Sequence, residues 1–96
     1  MAGIEIIATG ERLFHVEITD DDGLTLHEVG VPDGYADSIG AAHVTHDALV
    51  IESVRFLLER EPKEQILRAF DLPDIQRFFP DYELEIRRRL PGDPPE

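Results

Sequence analysis

The sequence predicts an α+β domain, in which a small antiparallel meander or hairpin is followed by a main core helix and short proline-punctuated helices. Two observations carry this reading. Up to Val31 apolar and polar residues alternate with period two, as half-buried strands do, whereas from Thr45 the apolar residues recur at helical spacing. Pro62, Pro73 and Pro80 then cut the helical part into pieces, because the residue before a proline is pushed out of the α region.

The strands come first. Ile4-Glu5-Ile6-Ile7 reads as one, turned at Thr9-Gly10-Glu11, and Phe14-His15-Val16-Glu17-Ile18-Thr19 as a second. Asp20-Asp21-Asp22-Gly23 follows, and Asp-Gly is a strong hairpin signal because glycine accepts the positive φ of a tight turn. Leu24 to Val31 is the return strand. Two registers are open. A two-residue loop sets Val16 opposite Val29 and Phe14 opposite Val31, with Glu17 facing Glu28. A four-residue loop instead sets His15 beside Glu28, which is electrostatically better. Pro32-Asp33-Gly34 ends the sheet.

Tyr35 to Ile39 is expected to form one helical turn, stopped by Gly40. The main helix should start at Thr45, a good N-cap, with Asp47 in the first turn where the helix dipole favours an anion, and run to about Arg60. Leu49, Val50, Ser53, Val54, Phe56, Leu57 and Leu58 cover a wide arc and leave Glu52, Arg55 and Glu59 as the solvated strip. Pro62 suits the first position of a further helix carrying Ile66, Leu67 and Phe70. Asp71 should cap a short piece with Ile75, Phe78 and Phe79. Pro80-Asp81 opens the last helix, with Tyr82, Ile86 and Leu90 on one face, and Glu83 with Arg87 and Glu85 with Arg89 four apart. The expected domain is 1–90, with 3–31 β-rich, 45–90 helical and a frayed tail over 91–96.

A chain of 96 residues, 42% hydrophobic and 31% charged, has the composition of one folded domain. The absence of cysteine excludes disulfides, thiolate metal sites and a cysteine nucleophile. The N-terminal residues carry neither a basic region nor a long apolar run, so a secretory signal and a membrane span are not expected, and the expected compartment is the cytoplasm. The formal net charge of −12 is unevenly spread. Through Gly34 there are eight acids (Glu5, Glu11, Glu17, Asp20, Asp21, Asp22, Glu28, Asp33) against Arg12 alone. From Pro62 to Leu90 six acids (Glu64, Asp71, Asp74, Asp81, Glu83, Glu85) meet six bases (Lys63, Arg68, Arg77, Arg87, Arg88, Arg89). A field of this sign repels phosphate backbones and anionic lipid, so neither direct nucleic-acid binding nor membrane association is expected.

Chemistry-bearing clusters are few. His43, His46 and Asp47 have spacings that would share one face of a helix, and imidazole with carboxylate suits zinc, with His15 or His27 needed to complete the set. The plain reading of these histidines is solvation or capping, so no metal, cofactor or catalytic residue is expected. Asp20-Asp21-Asp22-Gly23 begins like a calcium loop, but Val31 stands where the bidentate glutamate belongs. No Gly-rich phosphate loop or nucleophile elbow is present. Residues 66–78 have the outline of a helix-turn-helix, yet only Gln76 and Arg77 would face bases, and three packed helices account for the pattern better.

The aromatic group of Phe70, Phe78, Phe79 and Tyr82 is denser than short helices need for their own packing. Phe78, Phe79 and Tyr82 are therefore the candidate interface, for a protein partner or a second copy of the chain. The stretch Phe56-Leu57-Leu58-Glu59-Arg60-Glu61-Pro62-Lys63, with Ile66-Leu67-Arg68-Ala69-Phe70-Asp71-Leu72 and Phe79-Pro80-Asp81-Tyr82, resembles a group of short uncharacterised bacterial proteins. In these a strand pair ending Val-Pro, as Val31-Pro32 does here, precedes a similar helical segment. The resemblance covers about two-thirds of the chain, implies a bacterial source and a similar fold, and carries no activity. The expected function is that of a non-catalytic interaction or regulatory protein, with homodimerisation as the leading mode. An antitoxin-like or transcription-associated regulator, using the hairpin or the Leu72-Pro73 turn, is the second reading, and a small metal-dependent enzyme using His43, His46 and Asp47 a distant third.

Overall fold

The computed structural model describes residues 3–90 and has the predicted α+β architecture. Strands β1 (Gly3–Gly10), β2 (Leu13–Asp20) and β3 (Gly23–Gly30) form an antiparallel meander. Helices α1 (Tyr35–Ser38) and α2 (His46–Leu58) follow, then a 3₁₀ turn over Lys63–Gln65, a short strand β4 (Ala69–Asp71), and helices α3 (Leu72–Phe78) and α4 (Tyr82–Arg89). The sheet order is β1-β2-β3-β4, with β4 parallel to β3.

The hairpin takes the register that sets His15 opposite Glu28, but with a two-residue turn, Asp21-Asp22, rather than the four-residue loop expected for it, because Asp20 pairs with Gly23 to close the ladder. Gly23 holds φ at +125°, a conformation that side-chain-bearing residues seldom adopt. Phe14, Val16 and Ile18 of β2 and His27 and Val29 of β3 then point inward and are buried, together with Val31 beyond the strand. Ile4 and Ile6 of β1 add to the same face.

Helix α2 closes that face. Thr45 caps it by accepting the Ala48 amide at 3.2 Å, and Leu49, Val50, Ser53, Val54, Phe56 and Leu57 are buried as the apolar arc requires. Leu58, expected among them, is half-buried, and the helix stops there, two residues short of Arg60. Helix α4 lies against α2 through Tyr82, Ile86 and Leu90, and the Tyr82 ring meets Phe56 edge-on at 5.3 Å. Of the two ion pairs expected along α4, Arg89 with Glu85 forms at 3.2 Å. Glu83 instead accepts the Tyr35 hydroxyl at 2.8 Å, which ties α1 to α4.

The helix expected after Pro62 is corrected by the structure: one 3₁₀ turn is followed by extended chain and a strand. The cause lies in the carbonyls. Arg68 O accepts the Glu28 amide at 2.7 Å and Leu67 O accepts from the His27 ring at 2.8 Å, so both serve β3 and neither closes a helical turn. Lys63 fixes the start of this segment. It is only 2% exposed, and its ammonium is 2.6 Å from the Asp20 carboxylate of the hairpin turn and also bonds Glu64. These partners hold the Asp20 and Glu64 carboxyls below, and the Lys63 ammonium above, their ordinary values. Non-local hydrogen bonds override a local helical pattern here. The tail over 91–96 lies outside the described residues.

Candidate functional site

The segment that refuses to be a helix shapes a concave apolar feature of the surface. Between the end of α2, the 63–70 segment and α3 lies an open groove of about 360 Å³. Leu57, Ile66 and Ile75, all buried, are its floor, and the half-buried Phe70 and Phe79 its walls. Leu67 and Phe78 form the rim, and they are 54% and 66% exposed. The polar groups are Gln65, Asp74 and Glu61, and burial pushes the Glu61 carboxyl above its ordinary value.

Local sequence places each wall. Asp71 starts α3, its amide bonded to the Asp74 carboxylate at 3.0 Å, and Pro73 fits the first turn because its missing N–H has no partner to lose there. Phe70 faces inward because it pairs with Val29 in the parallel ladder. The Asp71 carboxylate lies directly over Gly30, in space that a side chain at position 30 would share, so any larger residue there would have to displace that carboxylate. Phe79 is turned back onto Phe56, ring edge to ring face at 5.9 Å. The Arg60 guanidinium stacks on the same Phe56 ring at 3.6 Å, with Arg89 further out at 5.7 Å.

The three residues expected at an interface therefore separate. Phe78 is exposed and Phe79 half-buried at the groove wall, but Tyr82 is fully buried against Phe56 and is not exposed to a partner. That expectation is corrected for Tyr82, whose place in the first turn of α4 aims it at Ser53 of α2 rather than outward. Its hydroxyl is 2.6 Å from Ser53 Oγ, which itself donates to Leu49 O at 2.7 Å. Burial raises the Tyr82 and Tyr35 phenols well above their ordinary value, as befits neutral packing groups.

His43 and Asp47 are exposed at the entrance to α2, and His46 is half-buried. The two histidines needed to complete that set are engaged elsewhere. His15, on the outer face of the sheet, lies between Glu28 at 3.0 Å and Glu17 at 3.2 Å, and these carboxylates raise its pKa above the ordinary value. His27 donates Nδ1–H to Leu67 O, since a carbonyl can only accept, and its Nε2 is 2.8 Å from the Thr25 hydroxyl. Among the described residues no three histidine, aspartate or glutamate side chains group as a metal ion needs. The helix-turn-helix outline also dissolves, because its first half is extended chain and β4. Among the described residues no helix is long and apolar enough to cross a membrane.

Sequence reading missed two members of the site. The helical pattern puts Ile66 and Leu67 on a helix, whereas they lie in extended chain beside β3. A signal was present: His27 occupies an inward position between Thr25 and Val29, so it had to find a buried partner. Compared with known proteins, the chain matches no family model, no curated protein and no solved structure.

Proposed function

We propose that this protein is a non-catalytic interaction module of the cytoplasm that pairs with a second copy of itself through the groove beside α3. The observation that carries the reading is that projection and recess share one patch: the exposed Phe78 and Leu67 stand on the rim of a recess floored by Leu57, Ile66 and Ile75. A two-fold interface needs this self-complementarity, since each copy must offer both the projecting ring and the hollow that receives it. Charge supports the same occupant. The face belongs to the charge-balanced part of the chain, where Asp74 stands beside the exposed Arg77, so opposite charges can meet across a two-fold axis. Pairing at this end also keeps the acidic sheets apart, which lowers self-repulsion.

The test is sedimentation or light scattering of the purified protein across a concentration series. The wild type should be a dimer at micromolar concentration, and Phe78→Glu should be a folded monomer, because that ring touches little of its own core. Phe79→Glu is the poorer probe, since it also strips the edge contact from Phe56. A wild-type monomer at high concentration would overturn the proposal and leave the groove to a different partner.

A further inference from the structure

We infer that the outer edge of β1 is a docking site for an extended segment of another protein, one that alternates basic and apolar residues and adds to the sheet as a fifth strand. Sheet edges are a hazard that proteins usually blunt with short strands, prolines, charges or covering elements. The β4 edge follows that rule: it has three residues and leads straight into α3. β1 does not. It runs for eight residues, Gly-Ile-Glu-Ile-Ile-Ala-Thr-Gly, with no proline and with Glu5 as its single charge. Its one ladder is with β2, and among the described residues no strand pairs with its other side. A row of backbone donors and acceptors is thus open to an incoming chain, the arrangement on which strand addition rests.

The side chains specify what would fit. On the core face Ile4 and Ile6 are only half-buried, so apolar residues of an added strand would finish covering them. On the outer face Glu5 is directly opposite Glu17, an unfavourable like-charge pair. The His15 ring reaches Glu17 and Glu28, and among the described residues no base reaches Glu5. A lysine or arginine on the added strand, opposite Glu5, would relieve that repulsion. Period-two alternation puts such a base on one face and the apolar residues on the other. A second copy of this chain is the wrong occupant, because pairing two β1 edges would bring together two halves that each carry eight acids and one base. The site is separate from the groove and does not depend on the dimer proposed above.

The experiment is a titration of isotope-labelled protein with a synthetic alternating Lys-Val peptide, followed by amide shifts and hydrogen exchange. Shifts and new protection should concentrate in Gly3–Gly10, and binding should weaken with salt. Glu5→Lys removes a repulsion from the folded state, so it should stay folded, yet it should lower the affinity by roughly threefold to tenfold. A peptide N-methylated at alternate amides should not bind, because it cannot complete the ladder. Unchanged binding of the methylated peptide would show charge capture without strand addition and overturn the proposal. So would shifts centred on Leu67 and Phe78, or no binding at millimolar peptide. Protection of β1 without peptide, in dimers that survive Phe78→Glu, would assign the edge to a second copy and overturn it as well.

Discussion

Ser53→Ala should destabilise this protein more than Tyr82→Phe, although the two remove partners of the same hydrogen bond. Both residues are fully buried, and their oxygens are 2.6 Å apart. Ser53 Oγ already donates to Leu49 O, so the Tyr82 hydroxyl must be the donor between them. In Tyr82→Phe the serine keeps its own bond and loses only an incoming one, a net change of about 1 kcal/mol. In Ser53→Ala the tyrosine hydroxyl is left buried without its acceptor, a loss of about 1–3 kcal/mol, against which the better helix propensity of alanine returns at most about 0.5 kcal/mol. The double variant has neither an orphaned donor nor an orphaned acceptor, so it should fall short of the sum of the two single losses by about 1 kcal/mol. In a domain of this size each kcal/mol moves the melting temperature by roughly 4–8 °C. The assay is urea unfolding followed by far-UV circular dichroism, with the slope against denaturant unchanged among variants so that midpoints report stability alone. If Ser53→Ala matches the wild type, or if the double variant is the sum of the singles, the Tyr82 hydroxyl does not depend on Ser53. The neighbouring Tyr35 hydroxyl would then be the partner to examine.

Two further outcomes follow from the ion pairs. His15 is raised by Glu28 and Glu17, so it binds a proton more readily folded than unfolded. Its contribution should be complete below the unfolded value near 6.5 and fade as pH rises through the higher folded value. The stability gap between wild type and His15→Gln should therefore shrink with rising pH over that window. A gap that stays constant, or an imidazole resonance of His15 titrating at or below 6.5, would contradict the geometry. Across the α2–α4 contact, Arg89 meets both oxygens of Glu59 at 2.6 Å, which pulls the Glu59 carboxyl below its ordinary value. Because Glu59 is half exposed, a double-mutant cycle with Glu59→Ala and Arg89→Ala should give a coupling of only about 0.5–1 kcal/mol, smaller in high salt. A coupling that salt leaves untouched would mean that the pair acts through packing on Phe56 rather than through charge.

By itself the sequence determined what depends on neighbours within a few residues. Period-two alternation located the three meander strands, Asp-Gly the hairpin, Thr45 and Asp71 the helix starts, and the apolar arc from Leu49 to Leu57 the face that is buried. In each case the deciding interaction is a turn, a cap or a repeat of side chains along one element, and such interactions are written locally. The tertiary structure decided what depends on distant partners. The hairpin register was settled by which of two pairings the core and the His15–Glu28 contact favour. The 63–70 segment became a turn and a strand because His27, Glu28 and Asp20, far away in sequence, take its carbonyls and its ammonium. The groove inherits that dependence. Its aromatic residues were visible in the sequence, but which ring faces out and which faces in was set by Phe56: Phe79 and Tyr82 close on that one ring, and Phe78, one position away, is left in solvent.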